Sequence, residues 1–189
     1  MTMRAVRMPL PLIVLVLSIG AAPPPAGAEV TAAAAHGFTV HVETAVDAPP
    51  ETAWRMLTAH VGEWWDGAHT YSGRPDNLYI ETRPNGCFCE KLGEDGAVVH
   101  MTVTFVEPGR MLRLTGGLGP LGLMGVNGNM TWSLAAKEGR TRIALDYAVG
   151  GYDPRGLDQI APAVDRVLAE QLLRLQRLIE TGTPDDGEA

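Results

Sequence analysis

Glu90 is the residue around which chemistry could be built. It lies in the run Gly86-Cys87-Phe88-Cys89-Glu90-Lys91-Leu92, entered through Arg83-Pro84-Asn85-Gly86. Asn-Gly between strand-like runs signals a hairpin, because both residues tolerate positive φ. Alternate residues of a strand share a face, so Phe88, Glu90 and Leu92 point one way and Cys87, Cys89 and Lys91 the other. A carboxylate among apolar side chains must be paired, hydrogen-bonded or protonated. Two readings of it stay open. One is an edge-strand acid or an acid held by an arginine. The other is a polar group in a ligand pocket, where His69 or Tyr71 could join it as acid and base if they converged within about 3 Å of one substrate atom.

The cysteines are a second candidate. Two same-face positions on a regular strand lie about 6.6 Å apart at Cα. That is near the upper limit for a bridge, and the side-chain vectors run parallel. The spacing therefore favours two unbridged thiols, with a local disulfide and metal ligation as alternatives. His41, His60, His69 and His100 could add metal ligands, but no C-x-x-C or H-x-x-x-H spacing gathers them, so no metal is expected. Gly116 to Gly128 lacks G-x-x-x-x-G-K-[ST] and does not join a strand to a helix, and no G-x-S-x-G occurs. No cofactor is expected.

The elements that must position these residues follow from periodicity. Phe38, Val40, Val42 and Val46 alternate with Thr39, His41 and Glu43 in a half-buried strand. Asp47-Ala48-Pro49-Pro50 ends it, and Pro50 with Glu51 suits the start of a short helix to Thr58. Trp54, Leu57 and Val61 share one face of that helix. A second short helix or turn covers Val61 to Asp66. Its adjacent Trp64 and Trp65 cannot share a helix face, so one is core and the other borders a pocket or the surface. Ala68 to Asn77 reads as loop.

Strands follow at Leu78–Glu81, Gly86–Leu92, Val99–Phe105, Met111–Thr115, Met130–Leu134 and Ile143–Val149. Val99, Met101, Val103 and Phe105 alternate with His100, Thr102 and Thr104. Gly116 to Gly128 reads as a mobile apolar loop; Asn127 and Asn129 read as turn residues, with the rim of the cavity mouth as the alternative. The chain closes with a helix over about Leu157–Glu180, whose apolar stripe includes Val164, Leu168, Leu172 and Leu175. An antiparallel sheet with one apolar face needs a cover, and this helix supplies it. Parity gives the inward set as Phe88, Glu90, Phe105, Leu114, Trp132 and Tyr147. Trp54 and one of Trp64 or Trp65 close the space from the helix side.

Several short motifs occur in a suggestive order: Asp47-Ala48-Pro49-Pro50-Glu51-x-x-Trp54, Gly86-x-Phe88-x-Glu90, Val106-Glu107-Pro108-Gly109-Arg110-x-Leu112, Thr131-Trp132-x-Leu134, then the closing helix. Together they resemble the START-like domains of the SRPBCC superfamily, in particular the polyketide cyclase/dehydrase-like and Aha-type activator-like bacterial branches. The resemblance covers roughly Phe38 to Thr181. It implies an α+β helix-grip fold, a curved antiparallel sheet of about six to seven strands around the C-terminal helix, with a ligand cavity between them. This fold hosts carriers, receptors, cyclases and co-chaperones, so it leaves function open. The expected function is binding of an apolar or amphipathic small molecule. The alternative is a cyclase, lyase or hydrolase using Glu90 with His69 or Tyr71.

The first 28 residues have an arginine-bearing start, an apolar run from Leu10 to Ala22 and Ala26-Gly27-Ala28. That is the pattern of a signal peptide cut after Ala28, and the apolar run is shorter than the ~20 residues that span a bilayer. The expectation is a periplasmic or secreted protein with no stable membrane insertion after cleavage. Residues 29–37 are expected as a flexible leader, 38–181 as the domain and 182–189 as an acidic tail. The formal charge of −7 becomes −9 without Arg4 and Arg7. An acidic domain with no basic run excludes nucleic acid as the expected partner.

Overall fold

The computed structural model describes residues 27–185. Eight strands form one antiparallel sheet in the order β1-β2-β8-β7-β6-β5-β4-β3. They are β1 (Gly27–Ala34), β2 (Gly37–Val46), β3 (Leu78–Ile80), β4 (Cys87–Leu92), β5 (Gly96–Glu107), β6 (Met111–Thr115), β7 (Gly125–Lys137) and β8 (Arg140–Tyr152). Two short helices, α1 (Pro50–Ala59) and α2 (Val61–Trp64), follow β2, and the long α3 (Ala161–Thr181) closes the chain. Helix α3 packs on β1 and β2 and against α1 and α2. This is the helix-grip arrangement that the resemblance implies.

The inner face is written in the sequence. On β2 every second residue from Phe38 to Val46 is buried, and Leu168, Leu172, Leu175 and Leu178 of α3 are buried against it. Pro162 stands in the first turn of α3, where its missing N–H costs nothing. Outward residues of β2 carry charge: the His41 ring bridges Asp146 and Glu43, and Glu43 also meets Arg142. No helix among the described residues is long and apolar enough to cross a membrane.

Three expectations need correction. The stretch expected as a flexible leader is strand β1, paired to β2 from Gly27↔Glu43 to Ala34↔Gly37. Its alanines have low β-propensity, so the ladder formed with β2 decides its conformation rather than the local sequence. It accounts for the eighth strand. The Gly-rich loop is also shorter than expected, because β7 begins at Gly125 and puts Asn127 and Asn129 on the outer face of a strand.

The third correction is parity on β5. Two β-bulges each insert one residue, His100 between the pairs Phe88↔Met101 and Cys89↔Val99, and Thr104 between Val103↔Leu114 and Phe105↔Arg113. A bulge leaves two residues facing one partner and breaks the alternation. Val99 and Phe105 therefore turn outward, Phe105 being 40% exposed beneath the Arg113 guanidinium, while His100 turns inward. Phe105 leaves the inward set for this reason.

Candidate functional site

Glu90 points inward and is fully buried. Its Oε1 accepts from the Ser72 amide at 2.5 Å, and its Oε2 accepts from the Tyr71 amide at 3.0 Å and from His100 Nε2 at 3.0 Å. No arginine among the described residues reaches it. Burial pushes the carboxyl up, but hydrogen bonds from Ser72, the Tyr71 amide and His100 outweigh it and hold the group below its ordinary value. Glu90 is thus an ionised anchor that fixes the loop ahead of β3 to the sheet.

That loop is fixed at its other end too. Gln171 of α3 accepts from the Asp66 amide at 2.7 Å, Asp66 caps the Ala68 amide, and Trp65 Nε1 donates to the His69 carbonyl at 3.1 Å. Helix α2 stops at Trp64, and Trp65 is extended, so the two tryptophans part. Trp64 enters the core and donates to the Met56 carbonyl, while Trp65 meets Phe88 edge-on at 5.2 Å.

A second loop, Gly116 to Met124, is anchored by Tyr147 of β8. The Tyr147 hydroxyl donates to the Gly116 carbonyl at 3.0 Å and accepts from the Leu118 amide at 3.1 Å. Gly128 lets the ring pass, since a Cβ there would stand 2.5 Å from Tyr147 Cε2. The loop contains a 3₁₀ turn, Gly119–Leu123. The two loops meet where the Tyr71 hydroxyl donates to the Gly119 carbonyl at 3.2 Å.

Between these loops and the first turns of α3 lies a cavity of about 480 Å³. Its floor is Phe88, His100 and Tyr147; its loop walls include Trp65, Tyr71, Leu118 and Leu121; its helix wall includes Ile160, Val164 and Leu168. Of the residues expected at a ligand site, Trp65, His69, Tyr71, Phe88 and Tyr147 are brought together here. Trp64 and Trp132 pack edge-on in the adjacent core and Trp54 packs partly buried against it. Glu90 stands behind His100 and Tyr71 rather than on the wall, and Phe105 lies on the opposite face of the sheet. An open groove of about 580 Å³ lies on the outer side, bordered by Asn127 and Asn129.

Sequence reasoning missed His100. By alternation it belongs with Thr102 and Thr104 outside, and no glycine or proline marks the bulge that turns it in. The resemblance implied the helix as a cavity wall, while the Gly-rich loop was legible as a loop but not as a wall.

Cys87 and Cys89 form a disulfide, with Cα atoms 5.4 Å apart. The expectation of unbridged thiols assumed a regular strand; the partner strand bulges opposite these positions, and the shorter Cα separation falls within bridging range. Among the described residues, Asp66, His69 and Glu170 bring three metal-capable atoms within 4.8 Å of one another, at the exposed rim.

Of the solved structures, a conserved protein of unknown function from Enterococcus faecalis, EF2215, aligns with TM-score 0.55 at 20% identity, over 86% of this chain and 80% of its own. The Aha1 dimer from Colwellia psychrerythraea aligns with TM-score 0.54 at 15% identity, over 76% of this chain and 97% of its own. CalU16 from Micromonospora echinospora aligns with TM-score 0.51 at 18% identity, over 79% and 78%. At these identities the likeness shows the fold. No curated protein matches the chain. Residues 37–180 match the family described as polyketide cyclase/dehydrase and lipid transport. With three quarters of its length matched, the chain belongs to the polyketide cyclase/dehydrase and lipid transport family, within the SRPBCC superfamily.

Proposed function

We propose that this protein binds an apolar or amphipathic small molecule in the cavity between α3 and the sheet, outside the cytoplasm. The cavity itself carries the reading: about 480 Å³, walled largely by apolar side chains, and capped by two loops that are each tied to the sheet by a buried polar residue. Such a space is the usual form of a small-molecule site. The geometry favours binding over acid–base chemistry at Glu90, because both carboxylate oxygens already accept hydrogen bonds and neither stands on the wall. Export is supported by the pattern of the first 28 residues, of which 1–26 lie outside the described residues, and by the disulfide, which suits an oxidising compartment.

Native mass spectrometry of the protein recovered from its host tests both parts. The chain should begin at Glu29 and carry a small-molecule adduct. Val164→Trp, which fills the cavity from α3, should lose the adduct and keep the fold. An adduct that survives Val164→Trp, or none in the parent, overturns the binding reading; an intact N-terminus on cytoplasmic protein overturns export.

A further inference from the structure

The cavity's polar side chains are few, and on its inner walls all but one have partners among the described residues. The Thr70 hydroxyl donates to the Gly67 carbonyl at 2.8 Å. The Tyr71 hydroxyl donates to Gly119, and the Tyr147 hydroxyl donates to Gly116 and accepts from Leu118. His69 stands at the exposed rim. His100 differs. It is 5% exposed, lies on the floor beside Phe88 and Tyr71 with ring centroids 5.1 Å and 5.7 Å away, and its Nδ1 is buried without a hydrogen-bond partner among the described residues.

The other ring nitrogen settles what Nδ1 offers. Nε2 lies 3.0 Å from the Glu90 carboxylate, which takes two further hydrogen bonds from backbone amides and is ionised. A carboxylate can only accept, so Nε2 carries the proton and donates. In a neutral imidazole this leaves Nδ1 as a bare acceptor. Burial lowers the His100 imidazole below its ordinary value, against the pull of Glu90, which keeps it neutral near neutral pH. A buried acceptor with no donor is unfavourable, and native structures rarely leave one so.

We infer that His100 Nδ1 is the recognition atom of this cavity, and that its ligand is an apolar molecule bearing one hydroxyl group, whose O–H donates to Nδ1. The inference rests on the binding reading above and deepens it. The hydroxyl end lies at the floor against His100, between Phe88 and Tyr71, and the apolar body runs toward Leu118, Leu121 and Val164. Glu90 is a positioning residue: it fixes the imidazole tautomer and ring direction without touching the ligand. A plain hydrocarbon fits the walls but leaves Nδ1 unpaired. An anion such as a fatty carboxylate meets a lone pair where it needs a donor. Selection is therefore for neutral hydroxylated apolar compounds over both.

The test uses matched pairs that differ by hydroxyl against methyl: 2-naphthol with 2-methylnaphthalene, and 4-phenylphenol with 4-methylbiphenyl. Affinities are measured by fluorescence titration of the full mature chain. The hydroxyl member should bind about three- to tenfold tighter, the range set by one net hydrogen bond. His100→Phe should abolish that preference, with both members of each pair binding alike. Because that variant also removes a donor to Glu90, a measurement on the unmutated protein stands beside it: the ¹⁵N resonance of His100 Nδ1 should move toward the hydrogen-bonded position with 2-naphthol and stay with 2-methylnaphthalene. Equal binding of both members of each pair, or a stationary Nδ1 resonance with bound naphthol, overturns the role of His100 and leaves the binding reading standing. Binding of neither member of either pair overturns both.

Discussion

Replacing Glu90 by glutamine keeps the shape of the anchor and changes only what it can accept. One carboxylate oxygen becomes an NH₂ group. With that nitrogen on the Oε1 side, the Ser72 amide faces a donor; on the Oε2 side, the Tyr71 amide does. At least one buried donor loses its partner, which costs about 1–3 kcal/mol. The surviving bonds lose their charge assistance and weaken by roughly half. Together about 3 kcal/mol of stability should go. At about 2–4 °C per kcal/mol for a domain of this size, the Tm should fall by roughly 6–12 °C. Lys91→Gln, on the exposed neighbour, should stay within about 0.5 kcal/mol. Urea melts give the magnitude, and amide exchange at Tyr71 and Ser72 gives the location, since those two should exchange faster in the variant. The Glu90 carboxyl titrates below its ordinary value of 4.5, so its contribution is complete above that pH and is lost as pH falls through the lower folded value. The gap between parent and Glu90→Gln should therefore close on acidification. A loss under about 0.5 kcal/mol, unchanged exchange at Tyr71 and Ser72, or a gap that persists at low pH would refute the anchoring argument.

Leu172→Ala, in the buried stripe of α3, should cost about 2–5 kcal/mol in a urea melt, the range for truncating a buried leucine; a cost near zero would mean that α3 does not grip the sheet. Gly128→Ala drives a methyl into the Tyr147 ring and should cost about 1–3 kcal/mol. Its thermal melt should drop and amide exchange at Leu118 should rise, and an unchanged melt would remove Tyr147 as the anchor of that loop. Alkylation of the denatured, unreduced protein should leave Cys87 and Cys89 unmodified, and denaturation with reductant should yield two reactive thiols; labelling of the unreduced protein would mean the bridge is absent.

The sheet-and-helix plan was legible because period-2 alternation and the α3 stripe are strong, repeated signals. Phe38 to Val46 and Val164 to Leu175 could hardly be read otherwise. Alternation also put Phe88, Glu90, Trp132 and Tyr147 on the correct face. It failed on β5, where pairing with β4 and β6 inserts His100 and Thr104 out of phase. Bulges arise from how two strands meet, and nothing in Val98-Val99-His100-Met101 records that partner. Strand β1 was illegible for a similar reason: its alanines say little alone, and β2 supplies the order. The disulfide was misjudged because the Cα spacing was taken from a regular strand.

The bulge at His100 also bears on how this site could have come about. In the ladder between β4 and β5, Val99 pairs with Cys89 and Met101 with Phe88, and His100 pairs with nothing. Removing that one residue would leave every pairing and every facing of the sheet in place. The cavity would keep its walls, and Glu90 would keep its two amides. The imidazole would vanish, and with it the irregularity opposite Cys87 and Cys89 that brings their Cα atoms to 5.4 Å. The scaffold and the polar atom on its floor are thus separable at the level of a single codon, by insertion or deletion rather than substitution. Relatives aligned by strand register should divide into those with a residue at this position and those with a gap. Residue-by-residue alignment that forbids the gap would slip the strand and conceal the difference.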